Sequence, residues 1–156
     1  MTKPRFYVDT SVIGGCLDEG FAEHSWRLFE EFRGYQAIAV ISSITLAELE
    51  QAPAAVRAVL AELPDEAVDY VEFDEDAALL ADAYLSEGVV GPGSLADAQQ
   101  VAIATVQRVD VLVSWNFRHI VNLNRIRLFA AVNLKHGLPT PEIRSPQEVL
   151  DAQEEL

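Results

Sequence analysis

The chain has 156 residues, half of them hydrophobic, and a formal net charge of −14. That length and apolar share suit one sizeable core and exclude a disordered, low-hydrophobicity chain, and no apolar run approaches the roughly 20 residues that span a bilayer. Cys16 is the only cysteine, which excludes an internal disulfide and suits a reducing, cytoplasmic setting. The opening Met1-Thr2-Lys3-Pro4-Arg5 leads into only a few apolar residues before Asp9, which argues against a signal peptide.

In chain order, Arg5-Phe6-Tyr7-Val8 reads as a short buried strand ending at Asp9. Residues 22–32 carry Trp26, Phe29 and Phe32 at helical spacing, with Gly34 as a stop. Ala37 to Ile41 is a continuous apolar run, as expected of a strand covered on both faces. A helical stretch from Leu46 to Leu63 is broken at Pro53 and stopped by Pro64. Tyr70 to Phe73 reads as a strand and Asp76 to Leu85 as an Ala/Leu-rich helix. Gly88 to Gly93 is a loop by composition, Leu95 to Val106 a helix, and Val109 to Trp115 a buried strand. A last helix over 124–136 closes at Gly137, and Glu142-Ile143-Arg144 forms an edge strand before an acidic tail expected to fray. The expected layout is one domain over 1–146 with a C-terminal tail over 147–156.

Strands alternating with helices predict a parallel sheet with helices on both faces, and ligands of such sheets bind outside the carboxyl ends of the strands. Asp9 follows the first strand, Glu48 lies just past the second, and Asn116 follows the strand ending at Trp115. Asp97 opens a helix after the glycine loop and can share that edge. A few convergent carboxylates suffice for a hard, oxygen-liganded cation such as Mg²⁺, which relieves their mutual repulsion, polarises a phosphoryl oxygen and acidifies a bound water.

A second reading competes for two of these acids. Thr45-Leu46-Ala47-Glu48 and Ser94-Leu95-Ala96-Asp97 both have the form of a capping box, and taken singly each acid reads first as a helix cap. Asp9 has no such explanation, since a lone carboxylate at a buried strand end is costly. Other chemistries find little footing: His24, His119 and His136 lack zinc-ligand spacing, no nucleophile elbow appears, and Gly91-Pro92-Gly93 lacks the Lys and Ser/Thr of a phosphate loop. An aspartyl phosphatase built on Asp9 lacks its second nearby acid. The acidic total argues against nucleic acid, yet residues 111–141 hold no Asp or Glu while Arg118, Arg125, Arg127 and Lys135 fall there with His119 and His136. That run is either a locally basic surface or ordinary scatter with a helix C-terminus stabilised by Lys135 and His136.

Four segments in this order resemble the PIN-domain family, and among its members the VapC-like ribonuclease toxins of toxin–antitoxin pairs. They are Tyr7-Val8-Asp9-Thr10-Ser11-Val12, Ser42 to Leu49, Asp97 to Ala104, and Asp110 to Phe117. The resemblance runs from about Arg5 to about Pro146; each motif is short, and their order and spacing carry the specificity. It implies a three-layer α/β/α sandwich, Mg²⁺ or Mn²⁺, endonucleolytic cleavage of RNA, an antitoxin partner and homodimerisation. Asp9, Glu48 and Asp97 match acidic metal-site positions, and Thr10 or Ser11 matches the hydroxyl that supports the first acid. Asn116 stands where the family often has a further Asp, so one well-held metal is expected rather than two.

The expected mechanism has Asp9 and Asp97 ligating the ion, Glu48 ligating it or orienting the attacking water, and Asn116 positioning a metal-bound water. Arg118 and Arg125 are expected to hold flanking RNA phosphates, because guanidinium matches phosphate geometry. Two alternatives stay open: a PIN-like module with an eroded site that acts by binding protein or RNA, favoured by Asn116 and the overall acidity, and a structure-specific DNA nuclease.

Overall fold

The computed structural model describes residues 2–154; Met1 and the last two residues of the expected tail lie outside the described residues. Five strands form one all-parallel sheet: β1 (Arg5–Val8), β2 (Ile38–Ser42), β3 (Val68–Val71), β4 (Val111–Val113) and β5 (Glu142–Arg144), in the order β3-β2-β1-β4-β5. Helices α1 (Thr10–Gly15), α2 (Ala22–Arg33), α3 (Ser43–Glu50), α4 (Ala54–Ala61), α5 (Glu75–Ser86), α6 (Leu95–Val106), α7 (Leu123–Lys135) and α8 (Pro146–Glu154) complete it.

The two-residue period of a strand sends alternate side chains to opposite faces. Tyr7, Val40, Leu112 and Ile143 enter one core with α5, α6 and α7. Phe6, Val8, Ala39, Ile41 and Val113 enter the other, with Val12 and Ile13 of α1, Leu28, Phe29 and Phe32 of α2, and Val149 of α8. The result is the expected three-layer α/β/α sandwich. None of the described helices is long and apolar enough to cross a membrane.

Four local expectations change. The six-residue α1, unforeseen in a segment with two glycines, is enforced by burial of Val12 and Ile13. Strand β3 sits two residues earlier than the aromatic pattern indicated, pairing Ala39 with Val68 and leaving Tyr70 exposed. Neither anticipated capping box forms: Ser42 caps α3 by accepting the Thr45 N–H, and Ser94 makes no side-chain cap. The tail does not fray over 146–154. It forms α8, whose own capping box pairs Ser145 and Glu148 reciprocally at 3.0 and 3.2 Å around Pro146 at the first helical position, with Val149 and Leu150 buried toward α2.

Gly15 is where a side chain is excluded by space. A Cβ there would stand 2.7 Å from both Ser25 Oγ and Trp115 Nε1, which hydrogen-bond each other at 2.8 Å. Gly15→Ala is expected to cost about 1–3 kcal/mol through this overpacking, read as a lower denaturant midpoint at unchanged slope with altered Trp fluorescence.

Candidate functional site

Strand order runs outward from β1 through β2 to β3, then resumes on the other flank at β4. The reversal lies between β1 and β4, and their carboxyl ends form the crevice where doubly wound sheets bind ligands. Register pairs Val8 with Val113, so Asp9 and Ser114 emerge side by side.

Asp9 is the extended residue before α1, yet its carboxylate does not turn back to cap that helix. Its Oδ2 instead accepts the hydroxyls of Ser114 at 2.7 Å and Ser11 at 2.9 Å. Ser11 Oγ in turn accepts the Trp115 N–H and Ser114 Oγ the Asn116 N–H, both at 2.9 Å, which fixes each hydroxyl as a donor to Asp9. Burial pushes the Asp9 pKa up to about 6; the two hydroxyls pull it down, and the charges of Glu48 and Asp97 raise it further.

Glu48 is exposed on α3, with Oε1 accepting Thr10 Oγ1 and Gln100 Nε2, each at 2.7 Å. Gln100 is buried and accepts the Tyr7 hydroxyl on its Oε1. That hydroxyl lies 2.6 Å from Ser42 Oγ, and burial holds its pKa well above the ordinary phenol value, so it keeps the proton it donates. A carboxylate can only accept, so Glu48 fixes which end of the Gln100 amide faces it. A buried polar chain thus runs from Tyr7 under the sheet edge to Glu48.

Asp97 is the third residue of α6, and its Oδ1 accepts Asn116 Nδ2 at 3.0 Å. Its pKa is raised by burial first and by Glu48, against the lowering effects of His119 and Asn116. Asn116 Oδ1 accepts the His119 N–H at 2.9 Å. Asn116 thus spends its amide N–H on Asp97 and one of its oxygen's two lone pairs on the loop.

Asp9, Glu48, Asp97, Thr10, Ser11 and Asn116 thus converge, with Ser11 serving Asp9 and Thr10 serving Glu48. The two arginines stand outside this hydrogen-bonded set. Arg118 is exposed, Arg125 donates to the Val89 carbonyl, and among the described residues neither bonds to the three acids. Sequence reasoning missed Ser114, Gln100 and Tyr7. Ser114 follows β4 as Asp9 follows β1, and Gln100 lies three residues from Asp97 on the same helix face, so register and periodicity held the signal.

Among the described residues no three His, Cys, Asp or Glu side chains gather closely enough to enclose an ion by themselves. Hydrogen bonds among those residues fall on a single oxygen of each acid, Asp9 Oδ2, Glu48 Oε1 and Asp97 Oδ1, so each carboxylate retains a second oxygen. Such a donor set fits a hydrated hard divalent ion, which takes one or two carboxylates and keeps several waters.

No family model matches the sequence, and no curated protein matches it. Solved structures do. The chain is similar to VapBC2 from Rickettsia felis, bound to a promoter DNA fragment, at 14% identity and TM-score 0.58, over 90% of this chain and 98% of that one. DNA-bound VapBC from Salmonella typhimurium matches at 21% identity and TM-score 0.56, over 92% and 98%. VapC20 from Mycobacterium tuberculosis, described as a sarcin-ricin loop cleaving toxin, matches at 19% identity and TM-score 0.55, over 73% and 92%. The fold is the VapC-type PIN fold. Within it, the strand-order reversal carries Asp9 on one side and Ser114 and Asn116 on the other.

Proposed function

We propose that this chain is a VapC-like, metal-dependent endoribonuclease. The observation that carries the reading is the buried Asp9 carboxylate, held by two hydroxyls at the strand-order reversal and facing two further acids. Asp9 and Asp97 would hold Mg²⁺ or Mn²⁺, with Glu48 beside them. Held there, a divalent ion would supply charge neutralisation for the scissile phosphate and a more acidic bound water. Glu48, anchored through Oε1 by Thr10 and Gln100, keeps Oε2 to accept a proton from the attacking water. Asn116 keeps Asp97 aimed, and Ser11 and Ser114 do the same for Asp9. Arg118 is the cation available to a flanking phosphate. The same reading carries a cytoplasmic setting, a cognate antitoxin, as in the VapBC complexes among the fold relatives, and a homodimer.

End-labelled single-stranded RNA and DNA, incubated with Mn²⁺, Mg²⁺ or EDTA, test the proposal. Cleavage of RNA is expected to need the ion and to fall about 100-fold or more in Asp9→Asn, the scale of several kcal/mol of transition-state charge stabilisation. Equal cleavage by wild type and Asp9→Asn would overturn it. The engagement of the Asn116 oxygen favours the binding-module alternative, which predicts no Mn²⁺ effect on any activity or on melting.

A further inference from the structure

Immediately beyond Asn116 the chain presents a large aromatic side chain to solvent. Phe117 is 49% exposed, in a turn fixed by the Phe117 N–H to the Trp115 carbonyl at 3.0 Å and by two N–H bonds, from Ile120 and Val121, to the Asn116 carbonyl. Its ring lies 6.1 Å from that of Trp115 at 61°, and Trp115 is stacked on Phe21 at 4.4 Å and 23°. The indole is held by Ser25 and its backbone by Ser11, so the aromatic group is tied to the residues that hold Asp9. Beside Phe117 lies an open cleft of about 220 Å³ with Ile126 and Ile143 among its apolar walls and Arg144 at its rim. The polar side chains of Asn122 and Glu148 in that cleft already cap α7 and α8.

We propose that Phe117 and the cleft beside it form a stacking subsite for an unpaired RNA base next to the phosphodiester that the Asp9–Glu48–Asp97 site would cleave. The inference rests on the nuclease reading and deepens it by naming the side chain that would hold a base of the substrate. Three observations favour a nucleobase as the occupant. The aromatic follows directly on Asn116, whose amide holds Asp97, and its neighbour Trp115 is held by Ser11, a partner of Asp9. The exposed Arg118 stands next to it, in the stretch 111–141 that holds no acid, on a chain otherwise strongly negative. A half-exposed aromatic followed in sequence by an exposed cation is also a combination by which proteins grip single strands without reading base edges. No sequence preference beyond stacking strength is expected, since no uncommitted amide lines the cleft.

The test uses a fluorescent hexaadenylate with 2-aminopurine at successive positions, bound to Asp9→Asn protein so that no cleavage intervenes. The parent is expected to quench 2-aminopurine at one position. Adding Phe117→Ala should abolish that quenching and weaken binding about tenfold, within the range seen when stacking aromatics are truncated, while Phe117→Tyr restores both. In the otherwise wild-type chain Phe117→Ala should raise KM for single-stranded RNA about tenfold with kcat within twofold, and an unchanged melting temperature shows that the fold is intact. Unchanged quenching, affinity and KM in Phe117→Ala, with cleavage otherwise normal, overturn the subsite and leave the nuclease reading standing. Loss of binding to a protein partner with RNA binding untouched assigns the surface to protein contact and likewise overturns it. Absence of any RNA binding or cleavage by the parent and wild type overturns both.

Discussion

Asp9→Asn is expected to make the protein more stable at neutral pH while removing the proposed nuclease activity. Asp9 rises from 3.8 to about 6 in the fold, chiefly by burial, so its charged form is disfavoured there. A carboxyl whose folded pKa lies above its unfolded value contributes stability that is full below the unfolded pKa and lost as pH rises through the folded one. Wild type therefore loses stability between about pH 4 and pH 7, and the asparagine variant, which has no proton to lose there, does not. The shift sets an upper bound of about 3 kcal/mol; an expected gain of about 1–3 kcal/mol corresponds to roughly 2–10 °C in Tm for a domain of this size. The carbonyl of asparagine can still accept from both Ser11 and Ser114, so the local geometry persists. Melting curves from pH 4 to 8 should show the two proteins coinciding at the acid end and separating through pH 6. Mn²⁺ should close the gap by stabilising wild type alone. A variant less stable than wild type at pH 8 without metal would show that Asp9 is favoured in its charged form.

Gln100→Glu is expected to give the second large effect, with a different pH signature. The substitution is isosteric, but it sets a carboxyl 2.7 Å from Glu48 Oε1 in a buried position. While protonated, the introduced group can still donate to Glu48 and accept from Tyr7, so stability near pH 5 should match wild type. Burial and the neighbouring charges of Glu48 and Asp9 raise its pKa, and ionisation removes the donor to Glu48 and sets two carboxylates together, while the Tyr7 hydroxyl still donates. The variant should then lose about 2–4 kcal/mol between pH 5 and 8, read from urea midpoints at each pH. A pH-independent loss would instead indicate a packing defect. RNA cleavage should fall with the same pH dependence, because Glu48 loses one of its two anchors.

Both predictions depend on residues whose roles the sequence revealed unequally. The parallel sandwich was legible because the apolar runs at 6–8 and 37–41 are short, bounded by polar residues and separated by helical spacing. The acids were legible because Asp9 ends a buried strand where no helix-capping pattern explains it. What remained hidden was decided by distant contacts. Helix α1 contains Gly14 and Gly15, which lower helix propensity, and only the packing of Val12 and Ile13 makes it form. The pattern of a hydroxyl followed three residues later by an acid occurs at Thr45, Ser94 and Ser145, and a capping box forms only at Ser145, where a proline occupies the first helical position. At the other two, the acids are drawn off by Thr10, Gln100 and Asn116, donors that no local spacing announces. Ser114 falls in the same class, since its meaning comes from the pairing of β4 with β1.

That pairing also dictates a timetable for synthesis. β1 lies at the centre of the finished sheet, but one of its two neighbours is made more than 100 residues after it. While the ribosome is still building α5 and α6, β1 has only β2 beside it and remains an open edge. Asp9 then lacks Ser114, and Asp97 lacks Asn116. The acids can reach their mutual arrangement only after β4 and the turn behind it have left the exit tunnel. The acidic site is thus incomplete through most of the chain's own translation.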